Sequence, residues 1–224
     1  MHAKQKGYTL IELLVVIAII AIMAAIAMPN MSNWIAARRS ASQAESIANL
    51  LRFARSEAVR LNLPVYVCPT RVKKDGNVED HCNAARSGEG MVAFADGNKD
   101  KVYTRSTGTG KDFDIDLRAI ILGGENKDGR VTHQFATTKF DGSPTGNSNQ
   151  VWVFNPDGTF GHAASLSAKF DTGTGYVKIA MTDKDAATPD EKQSRSAVVL
   201  INPGGRVEVC SKSDTRPLCQ YPSN

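Results

Sequence analysis

Hydrophobic residues are distributed very unevenly along this chain. Residues 13–28 (LLVVIAIIAIMAAIAM) contain no polar side chain, whereas the rest is punctuated by charge, Gly and Asp. From Tyr8 to Met28 is 21 residues. As a helix rising about 1.5 Å per residue they reach roughly 30 Å, one hydrocarbon core, so the pattern predicts a membrane helix over 8–28. Pro29 removes an N–H and crowds the carbonyl of Ala25, which predicts a kink or local unwinding there. Beyond it, Ala44, Ile47, Leu50, Leu51, Ala54, Ala58 and Leu61 recur at spacings of three and four. That spacing marks one apolar face of an amphipathic continuation over 29–63. Arg38, Arg39, Arg52, Arg55 and Arg60 fall mostly off this face, as a solvated surface would. The helix should stop near Asn62-Leu63-Pro64, because proline disfavours helical geometry in the residue before it.

After Pro64 the period changes to short β-type runs between turn residues. Val65–Cys68, Met91–Ala95, Leu117–Leu122, Val151–Asn155, Tyr176–Met181, Ala197–Ile201 and Arg206–Cys210 are the predicted strands. Asn155-Pro156-Asp157-Gly158 and Asn202-Pro203-Gly204-Gly205 each read as a turn joining two of these runs. Stretches 104–112, 141–149 and 183–196 are polar and read as loops, and no internal repeat is present. The predicted class is α+β: a long N-terminal helix packed on an antiparallel sheet, or on a two-sheet head spanning 64–224.

Charge sharpens this picture when it is divided along the chain. The net +4 comes from Lys4 and Lys6, from the helix arginines, and from a balance of 20 basic and 20 acidic residues over 63–224. A protein that binds nucleic acid through bulk charge would show a basic head. The cysteines Cys68, Cys82, Cys210 and Cys219 form no CxxC and no compact Cys/His cluster, so a structural zinc site is not expected. Four cysteines allow three pairings. Behind a membrane segment disulfides are the expected state, with the local pairs Cys68–Cys82 and Cys210–Cys219 preferred. Asp96-Gly97-Asn98-Lys99-Asp100 begins like a calcium loop. It then places Lys101 where glycine is needed and Thr107 where a bidentate glutamate is needed, so it reads as a turn. The four histidines are scattered, and neither GxSxG, HExxH nor a P-loop occurs. No enzyme activity and no cofactor are expected.

The N-terminus is the most specific signal. A short positive leader, residues 1–7, should stay cytoplasmic, so that the chain runs outward from it. Within the apolar span sits one charge, Glu12, and an ionisable group at membrane depth calls for a partner, at a cost on the order of 3 kcal/mol without one. Lys6-Gly7-Tyr8-Thr9-Leu10-Ile11-Glu12-Leu13 followed by the apolar run resembles the class III signal of type IV pilins and type II secretion pseudopilins. The resemblance implies cleavage by a prepilin peptidase directly after Gly7 and N-methylation of Tyr8, which stands where most members carry Phe. It also implies that Glu12 meets the N-terminal amine of an adjacent subunit during assembly. Ala25-Ile26-Ala27 would fit ordinary signal peptidase, but Glu12 would then interrupt the apolar core of the signal, and the helical pattern continues past the site.

The segment Leu51–Val65, where helix passes into strand, resembles the minor pilins and pseudopilins called GspH/FimT. So do Gly90–Asp100, Val151–Gly161 and Val198–Val209 as strand-turn-strand pieces. That resemblance implies a minor pilin of a type IV pilus, first in the inner membrane with a periplasmic head and then in the filament, at its tip. Its partners would be other minor pilins, the major pilin, the prepilin peptidase and the inner-membrane assembly platform; a type II secretion pseudopilin is the alternative. Some FimT-like pilins bind DNA through a Gly-Arg-x-Arg motif. The aligned residues here are Gly205-Arg206-Val207-Glu208, in which Arg206 matches and Glu208 would repel phosphate. DNA binding through Arg206 is therefore the lesser expectation.

Overall fold

The apolar stripe at three-and-four spacing forms the inner face of one long helix, α1 (Leu10–Leu61, 52 residues). The computed structural model describes residues 8–104, 114–123, 129–146 and 148–222, with the side chains of 26–30 outside that description. α1 opens on Thr9 as N-cap and closes on Asn62, whose left-handed conformation (φ 56°, ψ 36°) turns the chain out just before Pro64. It passes through Pro29 as helix, so the unwinding expected there does not occur; a bend remains what the missing N–H predicts. Ala44, Ile47, Ala48, Leu50, Leu51, Ala54 and Ala58 are completely buried. The four alanines let the sheets approach closely, and each buried Leu or Ile contributes roughly 1.5–3 kcal/mol.

The head follows in chain order as β1 (Val65–Val72), β2 (Val78–Glu79), β3 (Gly90–Ala95), β4 (Ile115–Ile121), β5 (Val131–Thr138), β6 (Val151–Phe154), β7 (Phe160–Ala163), β8 (Asp171–Thr172), β9 (Tyr176–Asp183), α2 (Pro189–Ser194), β10 (Ala197–Ile201) and β11 (Val207–Val209). Two antiparallel sheets result. The first runs β4-β3-β1-β6-β7-β8 with β2 added to β1, and the second runs β11-β10-β9-β5. Alternation decides which side chains meet α1. Val65, Val67, Met91, Ala93 and Trp152 of the first sheet, and Val177, Ile179, Met181, Val199 and Ile201 of the second, share one core with the helix.

The opposite faces are buried too, each partly under a segment closed by a disulfide, the first also under Tyr103, Leu166 and Phe170. Outside the first sheet, Tyr66, Cys68, Val92, Phe94 and Val153 form a second cluster with Cys82 packed against it. Outside the second, Ala180, Val198 and Leu200 lie beneath Cys219 and Tyr221 of the C-terminal tail. The tail is also held by Lys178, a buried side chain whose ammonium donates to the Gln220 carbonyl, and by Tyr221 N–H donating to Gln193 Oε1 at 2.6 Å. Burial lowers the Lys178 pKa from its ordinary value.

The seven predicted strands all occur, with shifted ends; the turn at 202–205 joins two of them, β10 and β11, whereas the turn at 155–158 joins β6 to β7, which was not among them. Gly90–Asp100 differs: it holds β3 and the start of the loop after it, and the next strand, β4, begins only at Ile115. β2, β5, β7 and β8 escaped the hydrophobic pattern. In β5 the polar residues His133, half-buried, and Thr137, buried, interrupt the apolar alternation, although Thr132, Thr137 and Thr138 are good strand formers. The stretch 183–196 is not all loop. Thr188 caps α2 in a reciprocal box with Glu191, and Pro189 occupies the first turn, a helix-start signal present in the sequence.

One polar contact crosses the helix–sheet seam. Gln43 Nε2 donates to the Leu122 carbonyl at 3.1 Å, and Gln43 Oε1 faces His133 Nε2 at 2.8 Å. Because that oxygen can only accept, the imidazole carries its proton on Nε2 and is the donor. Burial pushes the His133 pKa down to about 4. The unfolded chain therefore takes up this proton first as pH falls. The contribution is fully present above about pH 6.5 and is lost between there and pH 4, on the order of 2 kcal/mol after screening by solvent. Thermal melts should accordingly show a steeper loss of stability from pH 6.5 to 4 in the native chain than in His133→Gln, which keeps a donor to Gln43 but cannot titrate.

Candidate functional site

The tip of α1 is built by its first turn. Thr9 sits in an extended conformation, its hydroxyl accepts the Glu12 N–H at 3.3 Å, and Glu12 Oε2 accepts the Thr9 N–H at 3.3 Å. This reciprocal cap places the carboxylate at the positive end of the helix dipole, where an anion is favoured. Only one hydrogen bond to Oε2 is needed for the cap, so the group retains lone pairs for a cation approaching from outside. Tyr8 beside it is 88% exposed. Gly7 and the rest of the leader lie outside the described residues. Thr9 was not singled out from sequence, although Thr-x-x-Glu before an apolar run is a capping-box signature.

Behind the tip the helix is bare. Leu10, Ile11, Leu13, Leu14, Ile17, Ile20 and Ile22 are all at least half exposed, and no strand covers them. The head meets α1 at Asn33, whose Oδ1 accepts from Arg195 Nε and Nη2 at 3.0 and 2.7 Å; Ala36 and Ala37 are buried just beyond. Among the described residues no helix is long and apolar enough to cross a membrane. After Glu12 the described apolar stretch runs from Leu13 to Ala25, 13 residues or about 20 Å, and Ile26, Ala27 and Met28 lie outside the described side chains.

The remaining residues singled out from sequence lie in the head. Cys68 is bonded to Cys82 and Cys210 to Cys219, with Cα separations of 4.8 and 5.6 Å. Closing loops of this size contributes about 2–4 kcal/mol each. In the loop after β3 the carboxylates are filled by the chain itself. Asp96 accepts from Lys99 and Lys101 N–H, and Asp114 accepts from Gly97 and Thr104 N–H. That is turn chemistry, with backbone donors where a calcium loop would direct oxygens at an ion.

Arg206 is exposed in the turn between β10 and β11, where its N–H donates to Asn202 Oδ1 at 2.9 Å. Gly205 has a reason of its own: at φ +72° an added Cβ would lie 3.0 Å from Phe160 Cβ and 3.2 Å from the Phe154 ring. Glu208 forms an ion pair with Arg216, and Arg216 is shared with Asp214 at 2.6 Å. The glycine and the glutamate of this tetrapeptide thus serve the head's own packing and charge balance.

A methylation-type start and a long half-bare helix carrying a two-sheet head define a type IV pilin-like chain. The prokaryotic N-terminal methylation motif matches residues 2–28. The family model of the type II transport protein GspH matches residues 43–205, 163 of the 224 positions, and the chain belongs to that family. Among solved structures, the type IV minor pilin FimU of Pseudomonas aeruginosa is similar in two crystal forms. One has 15% identity and TM-score 0.44, covering 79% of this chain and 92% of FimU. The other has 16% identity and TM-score 0.41, covering 77% and 94%. No curated protein matches this chain.

The two matching residues of the tetrapeptide should behave oppositely in urea denaturation. Gly205→Ala should cost about 1–3 kcal/mol through backbone strain and contact with the phenylalanines, whereas Arg206→Ala should stay within about 0.5 kcal/mol. Equal effects would contradict the structural role assigned to Gly205.

Proposed function

We propose that this chain is a minor pilin taking part in the initiation, assembly or tip structure of a type IV pilus. The observation that carries the reading is the bare apolar half of α1 with the Glu12 carboxylate held at its tip. Exposed apolar surface of this extent requires a non-aqueous cover. A bilayer can supply it before assembly, when residues 8–28 would anchor the chain in the inner membrane with the head in the periplasm. The bundled helices of neighbouring subunits can supply it in a filament. Cleavage after Gly7 by a prepilin peptidase leaves the apolar run attached and makes Tyr8 the new N-terminus. A secondary amine remains cationic after methylation, so the Tyr8 amine of an adjacent subunit is a suitable counter-charge for Glu12. In the apolar filament core an unmatched carboxylate would be strongly penalised, which makes the pair a device for axial register as well as attraction.

The family match to GspH supports a second reading, a pseudopilin of a type II secretion system, which would use the same tip and the same processing. Partners differ between the two: other minor pilins, the major pilin and the pilus assembly platform in the first, the secretion-system pseudopilus in the second. Affinity isolation of the mature chain from native membranes after crosslinking separates them by the filament subunits recovered. DNA binding is disfavoured by Glu208 and by the balanced charge of the head. Retention of duplex DNA at low salt, lost on Arg206→Ala, would reverse that judgement.

Two variants test the proposed processing and register directly. Gly7→Ala should leave a membrane-retained precursor, seen by intact mass spectrometry as the uncleaved chain. Glu12→Ala should insert normally but be depleted from sheared filaments. Native levels of incorporation in that variant would rule out a register role for the carboxylate.

A further inference from the structure

Between the bare helix and the head lies a collar, residues 31–39, open to solvent on one side. Met31, Trp34 and Ile35 are exposed there, Trp34 at 62%. The first charges after Glu12 are Arg38 and Arg39, and no acidic residue lies between Leu13 and Ala44. Trp34, Ile35, Arg38 and Arg39 form one wall of a groove of about 1070 Å³, whose other wall is the C-terminal disulfide loop. The carboxylates lining that groove are engaged elsewhere: Glu45 with Arg52 at 3.8 Å, and Asp214 with Arg216. Among the described residues neither Arg38 nor Arg39 makes an ion pair. The Arg38 guanidinium instead folds back one turn, 6.0 Å from the centre of the Trp34 ring.

Direction and depth point to what covers this collar. Side chains of a helix lean toward its N-terminus, here toward the apolar run. Trp34 lies six residues, about 9 Å, beyond Met28, and the headgroup layer outside the hydrocarbon core is roughly 5–8 Å thick. Leaning back, the indole reaches that layer, the favoured depth for tryptophan, and the arginine stems reach the phosphates. A protein seam at the same place would have to bury two guanidinium groups for which this chain offers no carboxylate. Lipid phosphates offer the missing anions.

We propose that the collar is a membrane-surface docking site. Trp34, with Met31 and Ile35, seats in the interfacial layer of the bilayer, and Arg38 and Arg39 bind the phosphates of anionic phospholipids. The site deepens the membrane-anchored reading and rests on it. It sets the height and tilt of the head on the bilayer before assembly, and it must be released when the subunit leaves the membrane.

The chain has two tryptophans, and Trp152 is completely buried in the head core. Trp34→Phe therefore supplies a background spectrum, and the difference from native isolates Trp34. The test uses the full chain in phosphatidylethanolamine–phosphatidylglycerol vesicles whose acyl chains are brominated near the headgroup or near the chain end. Resistance to carbonate extraction is scored on the same samples. The Trp34 emission should be quenched, more by shallow than by deep bromine. In Arg38→Gln/Arg39→Gln the docking equilibrium should fall about fivefold per arginine, the factor for a basic side chain at an anionic surface, with carbonate resistance unchanged. A carbonate-resistant chain whose Trp34 ignores bromolipid overturns the docking site and leaves the anchor intact. In that case quenching by aqueous iodide means an open collar, and protection from iodide means a protein cover. A chain extracted by carbonate overturns both readings.

Discussion

The packing of the second half of α1 against two sheets at once is the interaction on which the structure depends. Each sheet presents one apolar face to the helix. Neither could form a core with the other alone, because the strands of both converge on the same stripe of Ala, Ile and Leu side chains. The helix is thus the centre of the head, and every strand register that matters is set by which residues meet it. A one-residue slip in β1 would exchange Val65 and Val67 for Tyr66 and Cys68. The Gln43–His133 contact adds direction to this seam, since a buried amide and imidazole tolerate one geometry and apolar contacts tolerate several.

A helix shared by two sheets leaves each sheet with a second face uncovered, and among the described residues no third sheet or long helix covers it. Short loops do so instead. The segment closed by Cys68–Cys82 lies over the first sheet, and the tail closed by Cys210–Cys219 lies over the second. Loops of this length bury too little apolar surface to offset their own conformational entropy, and crosslinking removes much of that entropy from the unfolded chain. The disulfides are therefore architectural.

The same helix contributes both to the head and to what lies outside it. Between Leu10 and Ala25 it exposes apolar side chains that no strand covers, so the proposed association with bilayer or filament would continue the packing that folds the head. Under that proposal the single carboxylate at the tip, fixed by the Thr9 cap, would give this non-directional apolar association a defined end. In the proposed scheme the collar at Trp34 and Arg38 is where the two environments of the helix meet.

Much of this was legible without coordinates. The apolar run, the glycine and glutamate around Tyr8, the stripe from Ala44 to Leu61 and the Pro-Gly turns are local patterns, and local patterns report on neighbours along the chain. What escaped was non-local or masked by polarity. β5 was hidden because the polar side chains of His133 and Thr137 take inward positions, and the His133 imidazole finds its hydrogen-bond acceptor in Gln43, 90 residues away. Glu208 could be seen as a departure from a DNA-binding pattern, but its pairing with Arg216 required the C-terminal loop to fold back. The chain's own order of residues thus determined the long helix, most of the strands and the capped first turn of α1, because these depend on periodicity and on local spacing. Only the tertiary structure decided which half of the helix is covered, which loop closes which sheet and which charges are neutralised, because each of those follows from contacts between residues far apart in sequence.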